Sequence, residues 1–213
     1  MKVIRQLLLL FILPLILTSG CLWADGDHYT KTYGLESYPY EKDMGYLTAP
    51  NGKSFLVRAA TSHLWTAHDP QAWKGELSLY TSGRLGLDTS YTRYNENLRD
   101  ESDSLAFLDI VPTFSFARTA KWDWRVGMGY ESVEGRDHHD RVKLAYQVQY
   151  FFAKPFRLDA NVSTSLAAGK PIFEISSGLA YQWNRFEIKV AYERRNISDV
   201  VLEGPQLSLA AWF

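Results

Sequence analysis

Cysteine is almost missing: Cys21 is the only one in 213 residues. A disulfide framework and a Cys-built metal site are therefore excluded. An excess of one charge is missing too, with Lys+Arg 23 against Asp+Glu 24, whereas a nucleic-acid binder would carry a basic surplus. The one long apolar run, Leu7–Leu17, is shorter than the ~20 residues a spanning helix needs. After it, no stretch repeats apolar residues at the helical period, which excludes a helical bundle. Nucleophile elbows, phosphate loops and metal-ligand spacings are absent as well. The expectation is a non-enzymatic protein with neither cofactor nor metal.

The first residues read as an address. Lys2 and Arg5 form a positive end, Leu7–Leu17 an apolar centre, and Thr18, Ser19 and Gly20 suit a peptidase; residues 1–20 are predicted to be a signal peptide. Cys21 follows Leu17-Thr18-Ser19-Gly20 directly. This resembles the lipobox of bacterial lipoproteins, although Thr18 stands where that family usually has Leu. The resemblance makes Cys21 a lipidation candidate; an ordinary cut nearby, for instance after Ala24, is the alternative. Residues 21–53 lack alternation and are read as an N-terminal periplasmic extension. Within it Tyr38-Pro39-Tyr40 is either loop filler or a small partner-binding cluster.

What is abundant is alternation. Trp73, Gly75, Leu77 and Leu79 interleave with Lys74, Glu76, Ser78 and Tyr80; Trp122, Trp124, Val126, Met128 and Tyr130 interleave with Asp123, Arg125, Gly127, Gly129 and Glu131. A period of two places successive side chains on opposite faces of a strand. The pattern predicts strands over 54–66, 72–81, 84–94, 104–117, 120–132, 141–153, 155–167, 172–183, 185–194 and 203–213. Pro112 has no N–H to donate, so its strand is expected to bend or bulge. Tight connections, such as Ser82-Gly83, Lys154-Pro155 and Asn184-Arg185, alternate with longer polar ones, including 95–103, 133–140 and 195–202. Short turns on one side and longer loops on the other mark a membrane barrel. The predicted fold is all-β, a transmembrane antiparallel up-and-down barrel of residues 54–213 with ten strands, or eight if two weaker ones merge.

One set of each strand carries paired charges: Lys74 with Glu76, Arg84 with Asp88, Asp123 with Arg125, Arg157 with Asp159, Glu187 with Lys189. The other set is aliphatic and aromatic, a band that only lipid or a core could cover. A soluble barrel or sandwich would have no reason to gather aromatics at strand ends. Here Phe114, Phe116, Trp122, Trp124, Tyr150, Phe152, Phe156, Tyr181, Trp183 and Phe186 flank the short turns, and Trp73, Tyr91, Tyr130 and Tyr192 lie near the longer loops. Amphipathic rings prefer the headgroup level. Leu207, Leu209, Ala211 and Phe213 alternate with polar or small residues at the end of the sequence. This resembles the C-terminal signal of small Gram-negative outer-membrane β-barrel proteins. The resemblance implies the bacterial outer membrane as location, with its lipids, lipopolysaccharide and the barrel-assembly machinery as partners.

Two local features suggest chemistry. Asp137-His138-His139-Asp140 could bind a transition metal or belong to a protease site, as in outer-membrane proteases of the omptin type; ordinary solvated loop is the alternative. Ser62 and His63 are neighbours on a strand and point to opposite faces, so they cannot act as a pair. The interior charges are expected either to line a conduit or to pair and fill a narrow lumen. Three functions stay open: a structural, surface or envelope-assembly accessory role, a small pore for ions or solutes, and a surface hydrolase.

Overall fold

A computed structural model describes residues 55–213, apart from 67–70, 82–83, 98–101, 120, 136–137, 154 and 167–170. The signal peptide, Cys21, the 21–53 extension and Asp137 lie outside the described residues. The strands are β1 (Phe55–Trp65), β2 (Gln71–Thr81), β3 (Leu85–Asn97), β4 (Ser102–Arg118), β5 (Trp122–Glu134), β6 (His138–Ala153), β7 (Phe156–Leu166), β8 (Ile172–Trp183), β9 (Phe186–Ile197) and β10 (Val200–Trp212). Each pairs antiparallel with its sequence neighbours, and β1 pairs with β10, closing a ten-stranded barrel. The closing register matches Arg58 with Trp212 and Ser62 with Ser208. Two further bonds extend the seam, Phe213 N–H to the Val57 carbonyl at 2.8 Å and Val57 N–H to the Phe213 carbonyl at 3.0 Å. Closure removes the free edges, so every strand keeps its backbone groups paired where water is excluded.

The alternation has the predicted phase. On β6, Lys143 and Ala145 are buried inside, while Val142 is exposed on the outer wall with Leu144 beside it in phase. A tilted crossing needs about 9–11 residues, yet β4 has 17 and β6 has 16. These strands therefore rise beyond the apolar band. Three expectations change as a result. The loop expected over 195–202 is a turn of Ser198 and Asp199, with Ser198 at a φ of 57°. The 133–140 loop shrinks to 135–137, so His138, His139 and Asp140 belong to β6. Arg84 sits exposed before β3 at a φ of 70° rather than inside beside Asp88.

Pro112 does not carry the bulge. The β4–β5 register runs from Ala106 to Ile110 and resumes unshifted at Thr113; the shift lies between Ser115 and Ala117. The lapse is accommodated sterically. A methyl group at Gly129 would collide with the Ile110 carbonyl and with Val111, so only glycine lets β5 press against β4 there.

Candidate functional site

Inside the barrel, charge is organised as one ladder. At its outer end Arg195 bonds Glu174 at 2.7 Å, and Lys143 reaches Asp109 at 2.9 Å, Glu174 at 3.2 Å and Glu131 at 3.4 Å. Lys74 continues it, lying 3.9 Å from Glu174, 3.2 Å from Glu193 and 3.4 Å from Glu76. Arg58 then joins Glu76 at 3.2 Å to Glu187 at 2.8 Å. Arg157 contacts Glu187 at 3.1 Å and ends the ladder on Asp159 at 2.6 Å. The rungs come from β1, β2, β4 to β9, so the ladder crosses the lumen as well as descending it. A second cluster holds Arg125 against Asp123 at 2.6 Å, with the Ser115 hydroxyl donating to the same carboxylate. Such groups remain charged away from water only because partners surround them.

The ladder is capped by apolar layers that alternation alone did not suggest. At the loop end, Leu64, Ala72, Tyr94, Phe107, Val133, Ile172 and Leu202 form one buried cluster inside the barrel. At the turn end, Leu56, Tyr80, Phe151 and Trp212 form another. Both are stitched to the charges. The Arg195 guanidinium lies 4.2 Å over the Phe107 ring, and Arg125 lies 3.9 Å over Tyr80. The Trp212 indole donates to Glu187 at 3.1 Å. A sequence signal existed: apolar side chains in the polar phase, confined to strand ends. Between the layers remains a cavity of about 160 Å³, bordered by Lys189, Gln147, Asn161 and the ladder's own residues.

The outer wall is an apolar belt between aromatic ends. Leu77, Leu108, Ile110, Met128, Leu158, Leu179, Ile188, Val190 and Leu209 are all exposed. On the short-turn side, rings run from Trp124 to Trp122 (5.5 Å between centroids), Tyr150 (4.1 Å), Phe152 (6.1 Å), Phe156 (6.1 Å) and Tyr181 (5.4 Å). Trp65, Trp73, Tyr91, Tyr130 and Tyr192 are exposed at the other end. Leu207, Leu209 and Phe213 point outward, as the terminal pattern required, while Trp212 between them points in.

The candidate chemical residues separate. Ser62 is buried inside, and His63 is outside between Trp65 and Trp73, each ring 4.5 Å away. His138 Nε2 and Asp140 Oδ1 are 2.9 Å apart on the outward face of β6, both largely exposed. Tyr130 donates its hydroxyl to Asp140 at 2.5 Å. His138 and Asp140 thus join Tyr130 in a surface cluster, and His139 belongs to the next residue step of the same strand. Among the described residues, no group of three metal-ligating side chains converges.

A closed antiparallel barrel with a charged lumen, a lipid-compatible belt and aromatic rings at both ends is an integral β-barrel of the bacterial outer membrane. No protein family matches the chain, and no curated protein matches it in sequence. Its fold is similar to the outer-membrane protein Ail of Yersinia pestis in a phospholipid bilayer nanodisc: 12% identity over 75% of this chain and 98% of that one, with a TM-score of 0.41. The KdgM porin gives 12% identity over 73% and 99%, with a TM-score of 0.41. The N-terminal barrel domain of Pseudomonas aeruginosa OprF gives 13% over 76% and 100%, with a TM-score of 0.35.

Proposed function

We propose that this protein is a closed, non-enzymatic outer-membrane barrel with a structural, surface or envelope-assembly accessory role. The ion-pair ladder between two apolar layers carries this reading, since a narrow lumen filled by paired side chains leaves little room for a solute. The purified barrel in planar bilayers is expected to add no stepwise current to the protein-free membrane. Steady, ion-selective steps from the unmodified protein would replace this reading with the small pore, for which the 160 Å³ cavity is the supporting observation. We further propose that the outward row Leu207, Leu209, Ala211 and Phe213 is the segment offered to the barrel-assembly machinery. Phe213→Lys then lowers the yield of heat-modifiable barrel in outer membranes; an unchanged yield would remove that role.

A further inference from the structure

On the outer wall, the register sets His63, Trp73 and Arg93 side by side on β1, β2 and β3. All three face outward at the loop end, among the rings that mark the headgroup level. Arg93 differs from the other strand cations. Those of the lumen sit among carboxylates, and Arg194, also outward, has Glu203 at 3.4 Å. Arg93 is exposed and has no ion-pair partner among the described residues; its cross-strand neighbours are Trp73 and Ala106. Of the outward carboxylates of the same rim, Glu134 and Asp140 lie on β5 and β6, and Glu203 on β10 is taken by Arg194. Among the described residues, this sector of the rim is therefore cationic and carries no counter-charge for Arg93.

Trp73, the cross-strand neighbour of Arg93, exposes 57% of its surface, and Trp65 on β1, two strands from Arg93, exposes 43%. The His63 ring packs against both, and its Nδ1 has no hydrogen-bond partner among the described residues. Exposed indole faces accept the C–H faces of sugars, and a guanidinium binds phosphate through paired N–H groups. A simple phospholipid supplies the phosphate and lacks the ring. A phosphorylated sugar carrying acyl chains supplies both, and its chains would lie along the apolar belt below Tyr91.

We propose that Trp65, Trp73 and Arg93, with His63 between the indoles, form a seat for the phosphorylated sugar headgroup of an outer-leaflet glycolipid of the lipid A type. Arg93 takes the phosphate and the indoles take the sugar face. The assignment does not depend on whether the lumen conducts.

The test is native mass spectrometry of the full barrel released from detergent, titrated with purified diphosphoryl lipid A. Parallel arms use dephosphorylated lipid A and phosphatidylglycerol. The unmodified protein is expected to retain one lipid A in preference to either alternative. Arg93→Gln weakens that binding about tenfold, the loss of one charge-assisted contact, and Trp73→Leu weakens it independently. Arg194→Gln leaves it unchanged. Both site variants alter exposed side chains, and heat-modifiable migration on gels verifies that each barrel is closed. Equal retention of lipid A by Arg93→Gln and the unmodified protein would overturn the proposal. So would a preference for phosphatidylglycerol, which would assign the sector to phospholipid phosphate.

Discussion

Lys143 and Leu144 are adjacent on β6, and their surroundings have nothing in common. Lys143 is buried among three carboxylates from β4, β5 and β8, whereas Leu144 belongs to the belt that meets acyl chains. The same division runs around the whole barrel. On the inner wall a charged side chain is acceptable when its charge is answered; within the apolar belt of the outer wall it is acceptable only without charge. Hydrophobicity therefore ranks these positions in opposite order on the two walls. An average over the sequence, such as the mean hydropathy of −0.24, hides both.

The contrast is broken most severely from the inside. Glu187 answers Arg58 at 2.8 Å and Arg157 at 3.1 Å, and also accepts from Trp212. Glu187→Ala leaves two buried guanidinium groups short of a counter-charge, for an expected loss of about 3–5 kcal/mol. Equilibrium unfolding in urea, from detergent micelles or vesicles, measures it. A loss below about 1 kcal/mol, the range of an exposed pair, would mean that the ladder is not desolvated.

The outer wall comes next. Leu144→Arg sets a charge against lipid near mid-strand, and the same assay should register about 2–4 kcal/mol. The smallest effect belongs to the neighbouring residue. Ala145 borders the polar cavity, where a hydroxyl finds partners, so Ala145→Ser should cost under about 1 kcal/mol. If the serine proved the worse of the two, the two walls would have to be exchanged.

Most of this architecture was legible because alternation is a local property. All ten strands fall within a few residues of the expected ranges, and the charges in one phase identified the inner wall before any contact was known. What stayed hidden depended on how the strands pair with one another. Strands β9 and β10 continue past the band because Ile197 pairs with Val200 and Asn196 with Val201; their polar residues resembled a loop. Pro112 looked like the source of a bulge, but it faces outward at a lapse in pairing that Gly129 on the next strand accommodates. The apolar layers of the lumen were obscured in the same way. Tyr94 and Phe107 sit in the polar phase of the neighbouring strands β3 and β4, and only the register of that pair brings their rings to 5.9 Å. The Trp73–Arg93 neighbourhood likewise exists only through the register. Of Asp137-His138-His139-Asp140, the last three enter β6, which keeps His138 and Asp140 together on its outward face.

Burial of the ladder also divides the molecule by its response to dissolved salt. Counterions screen charges they can approach, over about 8 Å at physiological ionic strength. The Arg194–Glu203 pair, half-exposed on the rim, is open to them. The ladder's rungs are far less accessible, from Arg195 at 0% to Asp159 at 18% side-chain exposure. Added salt is therefore expected to weaken the rim pair more than the ladder, whose cohesion depends less on the medium that bathes the cell.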